Sequence, residues 1–154
     1  MQARIKETPR FERLAAEDCD GRDQALAVLR DAFADSERYG EERLRLELMT
    51  RPPPFYREIF VASLAGTVIG VGAIKAADWA SDTHILYLSA VAGEQRGKGY
   101  ARQLLQARLE WLHNTFAHGR VLVSTAKSRR FREAGFRCVS PGGKGGRELM
   151  LLEF

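Results

Sequence analysis

"SAVAGEQRGKGYARQLL", Ser89 to Leu105, runs from an apolar, β-prone segment into a helix through a loop with two glycines. The helix starts poorly by ordinary rules. Its first turn carries Arg96, Lys98 and Arg102, cations where the helix dipole favours anions. No Ser, Thr, Asp or Asn stands between Arg96 and Ala101 to cap the free backbone N–H groups. A bound anion would replace that cap, because N–H groups and dipole converge at a helix N-terminus that follows a strand. Gly97 and Gly99 let the backbone approach such a ligand closely.

The common nucleotide loops do not fit. A Walker loop needs four residues between Gly and Gly-Lys, then Ser or Thr. Here Gly93 to Gly97 leaves three, and Gly99 follows Lys98. A dinucleotide fingerprint needs Gly or Ala where Arg102 stands.

Outward from the loop, the period of apolar residues reads as one α/β domain over 1–154. A short strand is expected at Phe11 to Ala15. Asp20 to Phe33 carries a helical stripe (Ala25, Leu26, Val28, Leu29, Ala32, Phe33), with Asp20 or Asp23 as cap candidates. Glu41 to Met49 reads as a second helix, ended by Pro52, Pro53 and Pro54. Glu58 to Ala76 is β-branched and broken at Ala65-Gly66, the pattern of a hairpin. His84 to Ala92 is a further strand. The helix after the loop presents Ala101, Leu104, Leu105, Leu109 and Leu112 to the core and is expected to stop at Gly119. Arg120 to Thr125 is a strand and "KSRRFREAG" a short helix. "FRCVS" and "ELMLLEF" are terminal strands around "PGGKGG". The expected sheet is mixed, with strands 84–92 and 120–125 parallel.

Composition sets bounds. The chain has 154 residues, 45% apolar and 29% charged, with a net charge of +4, which suits one soluble core and an anionic ligand. Cys19 and Cys138 form no CxxC, so neither a zinc site nor a disulfide scaffold is expected, and reduced thiols suit a cytoplasmic protein. No signal peptide, membrane span or metal site is read. "KSRRFR" reads first as a solvated helix face; a nucleic-acid partner is not expected from so short a run.

The loop resembles motif A of the GCN5-related N-acetyltransferases (GNAT), with Arg96, Gly97, Lys98, Gly99, Tyr100 and Ala101 filling its positions. "RRFREAGF", Arg129 to Phe136, is similar to a later motif of that family, commonly Phe-Tyr-x-x-x-Gly-Phe. The resemblance spans nearly the whole chain. It implies acetyl-CoA as cosubstrate and an amine acceptor, a small molecule or a protein; a homodimer is common among relatives. It implies that the backbone from Arg96 to Ala101 holds the pyrophosphate and that the Val91 backbone contacts the pantetheine arm or acyl group. Ser128 aligns with a family alanine of the cofactor site. The thioester is then expected between strands 84–92 and 120–125.

Two family residues are absent. The tyrosine that protonates the leaving thiolate is replaced by Arg132, and the strand glutamate of histone-acetylating relatives is replaced by Ile85. Arg132 could steady the thiolate by charge. Tyr100 or Ser128 offers another hydroxyl. Alternatively no acid is needed, since a thiolate with pKa near 8–9 is a fair leaving group. With strict alternation, Ile85, Tyr87, Ser89 and Val91 share one face, and Tyr87 and Ser89 are its polar members. The catalytic candidates are therefore Tyr87, Ser89 and Arg132. Competing readings are a longer acyl donor, and a module that binds CoA without turnover.

Overall fold

The computed structural model describes residues 7–142 and 146–154; residues 143–145 of the expected turn lie outside that range. Seven strands form one sheet in the order β1-β2-β3-β4-β5-β7-β6. They are β1 Arg10–Arg13, β2 Arg57–Leu64, β3 Thr67–Ala76, β4 Thr83–Val91, β5 Arg120–Thr125, β6 Arg137–Ser140 and β7 Glu148–Glu153. Every pairing is antiparallel except β4 with β5. The α/β reading with one parallel pair holds.

Helices cover both faces. α1 (Cys19–Ala32) and α2 (Glu41–Glu47) pack on one, and α3 (Tyr100–Thr115) and α4 (Ser128–Glu133) on the other. The first face buries Ala25, Leu26, Leu29, Leu44 and Leu48 against Ile59, Val61, Val71 and Ala73. The second buries Leu104, Leu105, Leu112 and Phe131 against Phe60, Ile74, Leu86, Val121 and Met150. Each such leucine contributes about 1.5–3 kcal/mol by leaving water, so two such faces suffice for a domain of this size.

Several local expectations shift. α1 is capped by Asp18, whose Oδ1 accepts from the Gly21 N–H at 2.8 Å, and not by Asp20 or Asp23. α3 ends at Thr115, before Gly119, because Phe116 turns extended and packs on Trp111, Tyr56 and His84. The core-facing row of α3 runs through Arg108, which is buried, while Leu109 is only partly covered.

Candidate functional site

The site begins where β4 and β5 part. They pair only at Thr83 with Arg120, His84 with Val121 and Ile85 with Leu122. Beyond that, β4 stays with β3 as far as Val91 and β5 stays with β7 as far as Thr125. A wedge therefore opens between two strands that a parallel ladder would otherwise join. It widens toward the N-terminus of α3.

The edge of the wedge carries a bulge. Val71 pairs with Ala90 and Ala73 with Tyr87, so Leu88 and Ser89 together face the single residue Gly72. Leu88 takes φ 50, and the extra residue leaves backbone groups out of the ladder. This corrects the alternation expected for β4. Tyr87, Leu88 and Ala90 all pack toward α1 and α2. Ser89 and Val91 are thereby turned to the other face, and Ile85, Tyr87, Ser89 and Val91 do not share one side. Of the four, Ser89 is exposed at the bulge.

A single 3₁₀ turn, Gly93–Gln95, follows β4 and delivers the chain to the start of α3. Gly99 is the N-cap with φ 82 and no side-chain capping bond, and Gly97 has φ 78. Both need the left-handed region that L-residues avoid, and a Cβ on either would meet nothing within 4 Å. The space over the loop is open. The first α3 N–H groups thus remain available, as the missing cap predicts. Two cations here fold back onto the chain: Arg96 Nε donates to the Val91 carbonyl at 3.0 Å and Lys98 Nζ to the side-chain Oε1 of Gln95 at 2.9 Å. Tyr100 contributes only its backbone to the loop, since its ring packs on Phe11 with centroids 6.1 Å apart. Ala101 follows in the first turn, partly exposed.

The "KSRRFR" stretch, expected as a solvated face, meets a cation of α3. Arg102 of α3 and Lys127, Arg129 and Arg130 around the start of α4 line one cavity of about 370 Å³ beside the loop. Glu133 neutralises part of it, 2.7 Å from Arg102 and 3.3 Å from Arg129. Lys127 and Arg130 have no ion pair among the described residues. Burial lowers the pKa of Arg130, and the Arg102 charge lowers it further, the effect of like charges held together. Four cations, two of them paired with Glu133, thus stand around one open depression next to an uncapped helix start. The signal was present as "KSRRFR", but only the crossing of β5 brings it beside Arg102.

The catalytic candidates fall elsewhere. The Tyr87 hydroxyl donates to the Glu47 carbonyl at 3.2 Å, and Lys75 Nζ lies 4.4 Å from its ring centre. Burial pushes its pKa well above the usual tyrosine value, with Arg57 acting the other way, so the phenol is neutral at working pH. Arg132 donates to Ser128 Oγ and to Glu148 Oε2, both at 2.8 Å, which ties α4 to β7 and occupies Ser128 as well. Tyr87 packs toward α1 and α2, Ser89 is exposed at the bulge, and Arg132 is held between α4 and β7. A larger concavity, about 550 Å³, lies at the opposite edge between β1 and the start of α1. Its lining includes no residue of β4 or β5, and Asp18 within it is spent on the α1 cap.

Comparison with known proteins agrees with this geometry. Solved structures of similar shape include Escherichia coli ElaA, with TM-score 0.76 and 14% identity over 94% of this chain and 99% of that one. An acyl-CoA N-acyltransferase from Pseudomonas aeruginosa has TM-score 0.74 and 14% identity over 94% and 99%. The PaiA N-acetyltransferase of Thermoplasma acidophilum, solved with coenzyme A, has TM-score 0.66 and 14% identity over 96% and 99%. At such identities the likeness shows the fold alone. Comparison with curated protein sequences gives no match. The model of the acetyltransferase (GNAT) family matches residues 23–136, from α1 through the wedge, the glycine loop and α4. The chain belongs to the acetyltransferase (GNAT) family.

Proposed function

We propose that the protein transfers an acetyl group from acetyl-CoA to a primary amine, on a small molecule or a protein. The observation that carries this reading is the anion site: the open Gly97–Gly99 loop at an uncapped helix, with four cations lining the adjoining cavity. A pyrophosphate and a separate phosphate, the anionic parts of CoA, suit those two places in charge. The backbone from Arg96 to Ala101 would hold the pyrophosphate. Lys127 and Arg130, with Arg102 and Arg129, would hold the outer phosphate. The wedge between β4 and β5 would receive the pantetheine arm, ending at the bulge.

When bound, acetyl-CoA supplies an activated acyl carbon. The acceptor nitrogen bonds to that carbon, the carbon–sulfur bond breaks, and the thiolate takes up the proton that the nitrogen releases. The chain's part is to position and to stabilise. Backbone groups left out of the ladder by the bulge at Leu88 and Ser89 would face the negative charge that builds on the acyl oxygen. No side-chain acid is required, because a thiolate leaves well near neutral pH. Tyr87 serves as wall, anchoring α2 to β4 through Glu47.

The test is release of free thiol from acetyl-CoA across a panel of amines: small polyamines, amino sugars, amino acids and peptides. Turnover with at least one class is expected. Tight CoA binding without turnover on any of them would instead favour a CoA-binding module. A propionyl- or longer acyl-CoA preferred over acetyl-CoA would assign a different donor.

A further inference from the structure

Arg108 is fully buried in the middle of α3, at a row position that the helix otherwise fills with leucine. Its Nε donates to the Leu104 carbonyl at 3.2 Å and its Nη1 to the Ala73 carbonyl at 3.1 Å. Nη2 makes no hydrogen bond among the described residues. Among the described residues no carboxylate pairs with it. The neighbouring charge it feels is another cation, Arg130. Burial brings its pKa down to about 10, which still leaves it charged at neutral pH. A buried charge without a counter-ion is costly, and an apolar side chain of similar size would serve the packing better.

Its position gives a reason. A Cβ on Gly72 would lie 2.8 Å from the Arg108 Cζ, so the missing side chain of Gly72 is the slot that admits the guanidinium. Gly72 is the residue that faces Leu88 and Ser89 across the bulge. The guanidinium therefore stands over β3, on the strand that pairs with the bulge of β4. Ser89, turned to the same side of the sheet, is exposed there.

We propose that Arg108 is a positioning residue whose fixed charge polarises the acyl carbonyl held at the β4 bulge, and that Gly72 is glycine to make room for it. This rests on the acetyl-transfer reading of the wedge. Negative charge grows on the acyl oxygen during attack, and a cation fixed in a water-poor core lowers its energy without reorganising. Arginine gives up no proton, so the contribution is field and geometry alone. The bond from Nη1 to Ala73 also stiffens β3 next to the bulge.

The experiment compares wild type with Arg108→Met, Arg108→Gln and Arg108→Lys. Gln keeps an N–H donor and discards the charge, so it stands in should Met fail to fold. The readouts are the melting temperature, the Kd for CoA, and the infrared carbonyl band of bound acetyl-CoA labelled with ¹³C at the acyl carbon; kcat and KM follow wherever an acceptor is found. In wild type the band should lie at lower wavenumber than for free acetyl-CoA. In the Met and Gln variants it should return toward the free position, with the CoA Kd within about threefold and kcat down about 10–100-fold. Lys should recover part of both. A band unchanged in Met or Gln overturns the proposal and leaves the transfer reading intact. A shifted wild-type band that Met or Gln abolishes, with no amine ever turned over, supports Arg108 and sinks the transfer reading. Wild type that binds no acetyl-CoA overturns both.

Discussion

Arg96 folds back so that its Nε sits 3.0 Å from the Val91 carbonyl, and the last residue of β4 is thereby tied to the loop that opens α3. The bond fixes the loop from one side. Gly97 and Gly99, both at positive φ, shape it from the other.

Valine at Gly97 or Gly99 should cost about 1–3 kcal/mol from strain alone, since no neighbour lies within 4 Å of the new Cβ. For a domain of this size that lowers Tm by about 2–12 °C. CoA affinity should fall further, by more than about tenfold, because the N–H groups lose their aim. Calorimetric titration beside a thermal melt checks this, and CoA affinity that survives the substitution would refute the anion-loop argument.

Gln at Lys127 and at Arg130 removes two cations with no ion-pair partner among the described residues. Each should weaken CoA about tenfold, the size of one charge-assisted hydrogen bond. Dephospho-CoA, which lacks the 3′-phosphate, should bind almost equally to variant and wild type. Equal losses for both ligands would place the outer phosphate elsewhere.

Arg132→Ala breaks contacts to Ser128 and Glu148, but the Arg132 side chain is 52% exposed, where such pairs contribute about 0–1 kcal/mol. Turnover should stay within about threefold of wild type. A fall of a hundredfold in kcat would put Arg132 at the reacting atoms.

Tyr87→Phe removes one hydrogen bond to the Glu47 carbonyl, about 1 kcal/mol of stability. Because its pKa is raised, the tyrosine should leave no inflection in the pH–rate profile between pH 6 and 9. An inflection present in wild type and absent in Phe would make it a proton carrier after all.

His84 predicts a pH dependence of stability. It is buried, its Nδ1 lies 2.6 Å from the Tyr56 hydroxyl, and its Nε2 has no partner among the described residues. Burial lowers its folded-state pKa below the ordinary value of 6.5. The unfolded chain therefore takes up the proton first as pH falls. The contribution is complete above about pH 6.5 and is lost below it, by at most about 1.4 kcal/mol per pH unit. Thermal melts from pH 8 to 5 should show Tm falling below pH 6.5, and His84→Phe should flatten that slope.

The sequence by itself determined what short-range physics controls. The order of strands and helices followed from apolar period, and the expectation of an anion at the loop from two glycines, three cations and a missing cap within a few residues of one another. Motif A and "EAGF" carried the family for the same reason. Tertiary structure decided what depends on register and on distant partners. The bulge at Leu88 and Ser89 breaks a strict alternation that sequence period assumes, and it re-aimed Ser89 and Val91. The cation cavity needs Arg102 and Lys127, 25 positions apart, to meet across β5. The role of Gly72 was hidden in an ordinary-looking strand. Its missing side chain acquires meaning only when α3 lays Arg108 against it, because the field of a buried charge is set by what folds around it.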